Sequence, residues 1–202
     1  LSYYHQLYTG FAFQERLLVT GIYSTILIVL FGLYLFAIRM LKNIEKKQFI
    51  FFIGGLCIIF LFAYPTMLSY DIFNYLTTAK VFFFYHENPY LIMPIVFLGD
   101  PFLLFTHASN KIALYAPVWI FLTGVPFTVG LGNFFATIVS FKLMTTVFYV
   151  LTILILWKLT KSHYTMLLFA LNPLIVIETL LSGHNDIVMM FFALFSFLLL
   201  KQ

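Results

Sequence analysis

Asp71 opens the series Asp71-Ile72-Phe73-Asn74-Tyr75 and is the first acidic residue after a long apolar run. Between Pro65 and Gly132 only Glu87 and Asp100 share its charge. A carboxylate at the edge of an apolar run, next to water, can take a proton from a reacting group, so Asp71 is the candidate base. The alternative is that Asp71, or Ser69 before it, only caps a helix. Far along the chain, Ser182-Gly183-His184-Asn185-Asp186 sets an imidazole, an amide and a carboxylate side by side. Histidine titrates near neutral pH and serves as acid, base or phosphate partner. The same five residues also read as a tight turn in which Asn185 or Asp186 caps the next helix. One His and one Asp are too sparse a donor set for a metal site, so no metal is expected. Glu178 stands just before this turn, and Lys142 is a lone cation inside an apolar run. Such a cation either faces a partner or a watery cavity, where it can hold a phosphate, or snorkels outward to headgroups.

These residues sit in a chain with too few charges to cover a soluble surface. Of 202 residues 63% are hydrophobic and 9% charged, with a mean hydropathy of +1.03. A soluble domain carries about 25% charged residues. Lipid must therefore solvate much of the chain, and a bilayer span takes about 20 apolar residues. The runs 17–40, 48–64, 134–157, 164–181 and 187–200 predict about five spans, the second short and the last cut off. That truncated run and the start at Leu1 suggest a piece of a longer protein. Segment 116–130 is shorter, is punctuated by Pro117, Gly124 and Pro126, and suits a re-entrant or interfacial helix. Cys57, the single cysteine, excludes an internal disulfide and a thiolate metal site. The net charge of +4 lies in clusters beside apolar runs, which signals orientation and excludes a nucleic-acid patch.

Arg39, Lys42, Lys46 and Lys47 fill the first connection, and Lys158 and Lys161 follow the third span. Both clusters are cytoplasmic by the positive-inside rule if 116–130 does not cross; if it crosses, Lys158 and Lys161 face outward. In the first case the loop 65–132 and the turn 182–186 share the non-cytoplasmic face. A loop of that length is functional or holds its own elements. Its first part reads as an amphipathic helix, with Ile72, Leu76, Ala79 and Phe83 on one face and Asp71, Asn74, Tyr75 and Thr78 on the other. Such a helix can lie in the interface plane, with Asp71 in the first turn where the helix dipole favours an anion. Asn88-Pro89 and Asp100-Pro101 are turn signals, and Pro117 suits a first helical position. Asn172-Pro173 interrupts the fourth run and bends it, which turns Glu178 toward the protein interior.

The order Asp71-Ile72-Phe73-Asn74-Tyr75, Asn88-Pro89-Tyr90, Asp100-Pro101-Phe102, Tyr115-Ala116-Pro117, Asn172-Pro173 and Gly183-His184-Asn185-Asp186 resembles the GT-C membrane glycosyltransferases. Among these it is most similar to the polyprenol-phosphate-mannose-dependent α-1,6-mannosyltransferases, from about Tyr64 onward. The resemblance implies a single all-α polytopic membrane domain over 1–202, with juxtamembrane and re-entrant helices in a large outer loop. It implies transfer of a hexose, mannose by family, from a polyprenyl-phosphate-linked donor to a glycan or glycolipid acceptor. The implied setting is the non-cytoplasmic face of the plasma membrane, with membrane lipids as partners and no cofactor. It gives Asp71 the place of the catalytic base and makes Lys142, Glu178, His184, Asn185, Asp186, Tyr75, Asn88, Tyr90 and Tyr115 the substrate-binding candidates. The chain departs from the family pattern in having one Asp rather than an Asp-x-Asp pair at the loop start. It also stops short of the family's usual span count.

Two other readings fit the same residues. Intramembrane Lys142 and Glu178 beside a proline break also suit a transporter or flippase for a lipid-linked or polar substrate. A transporter does not need a long outer loop, and the chain shows no internal repeat. A non-catalytic scaffold subunit is the other reading.

Overall fold

The computed structural model describes residues 10–11, 13–65 and 69–201, and among them all regular structure is helical. The helices are α1 (Arg16–Leu41), α2 (Lys46–Phe62), α3 (Asp71–Phe83), α4 (Pro117–Val129), α5 (Phe134–Thr160), α6 (His163–Ala170), α7 (Pro173–Leu181) and α8 (Asp186–Leu200). Two short 3-10 turns, Pro94–Val96 and Pro101–Phe105, lie between α3 and α4. Helices α1 and α5 are long and apolar enough to cross a membrane, and α6 with α7 makes a third such unit if the bent pair is one span. Helices α2 and α8 are apolar but shorter, with 17 and 15 residues.

The boundaries follow local chemistry. At the start of α2 the Glu45 N–H donates to Gln48 Oε1 at 3.3 Å. Asn133 caps α5 by accepting from the Ala136 N–H at 3.0 Å, and Ser162 caps α6 by accepting from Thr165 at 3.2 Å. Asn172 accepts from the Leu174 N–H at 3.0 Å, and Pro173 takes the first position of α7, where a missing N–H costs nothing. The α6–α7 break is therefore a helix stop followed at once by a helix start, with a bend of 52°.

The helix directions put the charged ends together. Lys142 of α5 meets the carbonyls of Phe60 and Ala63 at the end of α2, and Tyr149, two turns further on, lies against Cys57. Helices α2 and α5 are thus antiparallel. At 1.5 Å per residue, α5 runs about 27 Å from Lys142 to Thr160, and α2 about 24 Å from Phe62 back to Lys46. Lys46, Lys47, Lys158 and Lys161 consequently occupy one end of the bundle. Helix α8 runs alongside α5, with Phe148 against Phe191 and Phe192. Helices α6 and α7 run back, through Tyr149 donating to the Ala170 carbonyl and Thr145 donating to the Thr179 carbonyl.

Helices α3 and α4 build a second layer at the end opposite the lysines. The amphipathic pattern of 71–83 predicts a helix with one wet face, but α3 is covered on both faces: Tyr75 and Thr78 from the polar side are buried along with Ile72, Leu76 and Ala79. The cover is the irregular stretch after it together with α4 and the start of α5. Ala108 donates to Asn74 Oδ1 at 3.4 Å, His107 stacks on Tyr70 at 3.7 Å, and Phe73 packs on Phe105 and Phe134. Helix α4 lies against the first turns of α5: Gly130 abuts Thr137, and Tyr75 touches both Trp119 and Phe141.

Candidate functional site

Asp71 and the turn 182–186, more than a hundred residues apart in sequence, meet at the end of the bundle away from the lysines. His184 is the centre of the group. Its Nε2 lies 2.7 Å from Ser69 Oγ and 3.1 Å from Glu178 Oε2. Its Nδ1 faces Asp71 Oδ2 at 3.6 Å and Asp186 Oδ2 at 3.9 Å. The imidazole is mostly buried at 16% side-chain exposure, whereas Asp71 and Glu178 are each 42% exposed. One ring therefore bridges carboxylates that remain open to a reacting group.

Each member is placed by its backbone. Asp71 is the first residue of α3; the cap position is Tyr70, with no side-chain cap bond, so the Asp71 carboxylate is not used as a cap. Ser69 Oγ instead accepts from the Asp71 N–H at 3.4 Å. Glu178 lies in the π-helical part of α7, Val176–Leu181, where a wider turn re-aims side chains. The Ser182 N–H donates to the Ile177 carbonyl at 2.8 Å and the His184 N–H to the Glu178 carbonyl at 2.9 Å, so the turn folds back onto that segment. Gly183 has φ +70, and a Cβ there would stand 3.1 Å from Ile72 Cδ1. A glycine lets the turn press against α3. Asn185 holds the cap position of α8 without a side-chain cap bond; its Oδ1 accepts from the Tyr75 hydroxyl at 3.1 Å. The capping alternatives for Asp71, Asn185 and Asp186 are thus set aside by geometry.

Lys142 neither snorkels nor faces a watery cavity. Its side chain is fully buried, and Nζ donates to the Phe60 and Ala63 carbonyls that end α2. A helix C-terminus leaves carbonyls without intrahelical partners and carries partial negative charge, which a cation satisfies. Lys142 thereby ties α2 to α5 directly beneath Gly183, whose added Cβ would lie 3.7 Å from Lys142 Cγ.

The aromatic candidates form a wall beside the cluster. Tyr75 is buried and meets Tyr115 edge-on at 4.8 Å. Burial pushes the Tyr75 phenol up from its ordinary value, and the Asp71 carboxylate adds to the rise. Tyr115 is pushed up to about 12, chiefly by burial and then by Asp71, while a bond with Asn74 pulls the other way. Asn88 and Tyr90 lie elsewhere, at the far end of α3. Asn88 Oδ1 accepts from the Tyr90 N–H at 2.9 Å, and the Tyr90 hydroxyl donates to the Tyr115 carbonyl at 2.6 Å.

One buried ionic group escaped the sequence reading. Lys80 Nζ sits 2.9 Å from Asp100 Oδ1 and 4.1 Å from the Phe102 ring centre, while the Tyr85 hydroxyl donates to Asp100 Oδ2 at 2.9 Å. Asp100 also caps the 3-10 turn by accepting from the Phe102 N–H at 2.9 Å. This closed network locks the loop onto α3. Its sequence signals were Asp100-Pro101, read only as a turn, and a lysine in the last turn of the amphipathic pattern.

Among the described residues no group of three or more His, Cys, Asp or Glu side chains is arranged to hold a metal ion. No curated protein and no solved structure matches the chain. A family model does: that of the alpha-(1->6)-mannopyranosyltransferase N-terminal domain, over residues 7–202. The apolar, all-helical character of the described residues agrees with that match, and the chain belongs to the alpha-(1->6)-mannopyranosyltransferase family.

Proposed function

We propose that this chain carries the catalytic base of a GT-C-type mannosyltransferase that moves mannose from a polyprenyl-phosphate donor to a glycan or glycolipid acceptor. The single observation behind the reading is the half-exposed Asp71 carboxylate held 3.6 Å from His184 Nδ1, at the end of the bundle away from the lysines. Asp71 takes the proton of an acceptor hydroxyl as that oxygen bonds to the anomeric carbon of the donor. The bond from that carbon to the phosphate oxygen breaks, and the polyprenyl phosphate leaves with the electron pair. His184, touching Asp71 on one side and Glu178 on the other, orients the base and is the candidate partner for the departing phosphate. Glu178, Asp186 and Tyr115 border the acceptor. Lys142, committed to two carbonyls, positions the turn from beneath.

The proposed topology is about five crossings, formed by α1, α2, α5, the α6–α7 pair and α8. The layer of α3 and α4 stands on the non-cytoplasmic face of the plasma membrane, with the lysine-rich end in the cytoplasm. A transporter pathway is disfavoured, because a cation closed off by two backbone carbonyls does not line a route for substrate.

The test is Asp71→Asn in the full chain, assayed in membranes with radiolabelled polyprenyl-phosphate mannose. Loss of transfer by at least about a hundredfold, with normal expression, is expected for a general base. Ordinary transfer by this variant removes Asp71 from the role.

A further inference from the structure

The motif Glu87-Asn88-Pro89-Tyr90 has no part in the Asp71 cluster, yet it lines a pocket of its own. The pocket lies between the end of α3 and the start of α4, with a volume of about 610 Å³, within the range of about 300–1,000 Å³ that holds small ligands. Its walls are the rings of Phe82, Phe121 and Tyr90, and its rim carries His86, Glu87 and Asn88. His86 adopts φ +57, a left-handed conformation rare outside glycine, just where the chain leaves α3. Among the described residues the side chains of His86 and Glu87 have no hydrogen bond or ion pair, and both are exposed. The Asn88 amide oxygen is taken by the Tyr90 N–H, which leaves its NH₂ to donate.

Flat aromatic faces beside a free imidazole, carboxylate and amide suit a ligand with apolar C–H faces and many hydroxyls. Geometry ties this pocket to the cluster. Tyr90 bonds to the carbonyl of Tyr115, Tyr115 packs on Tyr75, and Tyr75 bonds to Asn185. From Asp71 to Phe82 the axis of α3 spans about 17 Å. That is too far for one sugar and fits a chain of several. We infer that this pocket binds the body of a saccharide acceptor whose reacting end lies at Asp71, so that the protein favours long acceptors over short ones. The inference names the acceptor subsite of the reaction proposed above and rests on that reading.

The experiment uses the full-length protein in membranes with Phe121→Ala and Glu87→Gln, two changes at exposed positions. Transfer is measured to an α-1,6-linked mannose disaccharide and to a longer oligosaccharide of the same linkage. Equilibrium binding of the labelled oligosaccharide is measured separately. Each variant is expected to raise the KM for the long acceptor about tenfold, Phe121→Ala by truncating an anchor and Glu87→Gln by removing a charged hydrogen-bond acceptor, with the disaccharide KM unchanged. Oligosaccharide binding should weaken by the same factor, while Asp71→Asn binds normally. A wild-type protein that binds no oligosaccharide, or variants that bind it as wild type does, overturns the inference, as does an equal KM shift for both acceptors. Oligosaccharide binding that depends on the pocket, in a protein that transfers no mannose, supports the subsite and sinks the proposed reaction instead.

Discussion

At the residue scale, what sets this cluster apart is that one imidazole meets a hydroxyl and three carboxylates, and the carboxylates nearest the ring stay partly open. Its wall is tuned by burial. Tyr115 is raised from 10.0 to about 12, first by burial and then by Asp71. A phenol held neutral in the folded protein contributes stability that is complete below about pH 10 and is lost as pH rises toward 12. The thermal midpoint of detergent-solubilised wild type should therefore fall across this window more than that of Tyr115→Phe. Equal slopes for the two proteins would show that Tyr115 ionises as it does in an unfolded chain.

At the element scale, the proline signals were legible because they rest on local rules: Pro117 takes the first position of α4, and Asn172-Pro173 ends one helix and opens the next. Lys142 was not legible, because its partners are carbonyls about eighty residues away, and carbonyls leave no mark in a residue pattern. The burial of α3 was missed for a related reason. Its periodicity is real, but part of its polar face is covered by a stretch with no period of its own and the rest by α4 and α5, and the Lys80–Asp100 pair that fastens the stretch is formed across a loop. Meeting of Asp71 with His184 was inferred from charge clusters at the far ends of their helices, which is a rule about orientation rather than contact. Lys142→Met tests the element that supports the site. Leaving the end of α2 without its donor should lower stability by about 1–3 kcal/mol, read as a lower thermal midpoint with transfer reduced only in proportion to folded protein. Unaltered stability with a raised donor KM would return Lys142 to the phosphate.

At the scale of the whole molecule, the proposal requires the two ends of the bundle to lie on opposite sides of the membrane. Single cysteines at Lys47, Lys158, Glu87 and Asp186, in a Cys57→Ala background, can be probed in intact cells with an impermeant maleimide. Labelling is expected at 87 and 186 and not at 47 or 158; reaction of 158 from outside would mean that the α4 segment crosses. The same layout gives α5 an unusual task. With 27 residues it is about 40 Å long, roughly 10 Å beyond the hydrocarbon thickness of a bilayer, and its excess turns carry the α3–α4 layer. In the proposed topology it serves as a ruler, setting how high the carboxylates ride over the lipid. Membrane thickness then becomes a reaction variable: a thicker bilayer would draw Asp71 toward hydrocarbon and slow turnover without touching a single side chain.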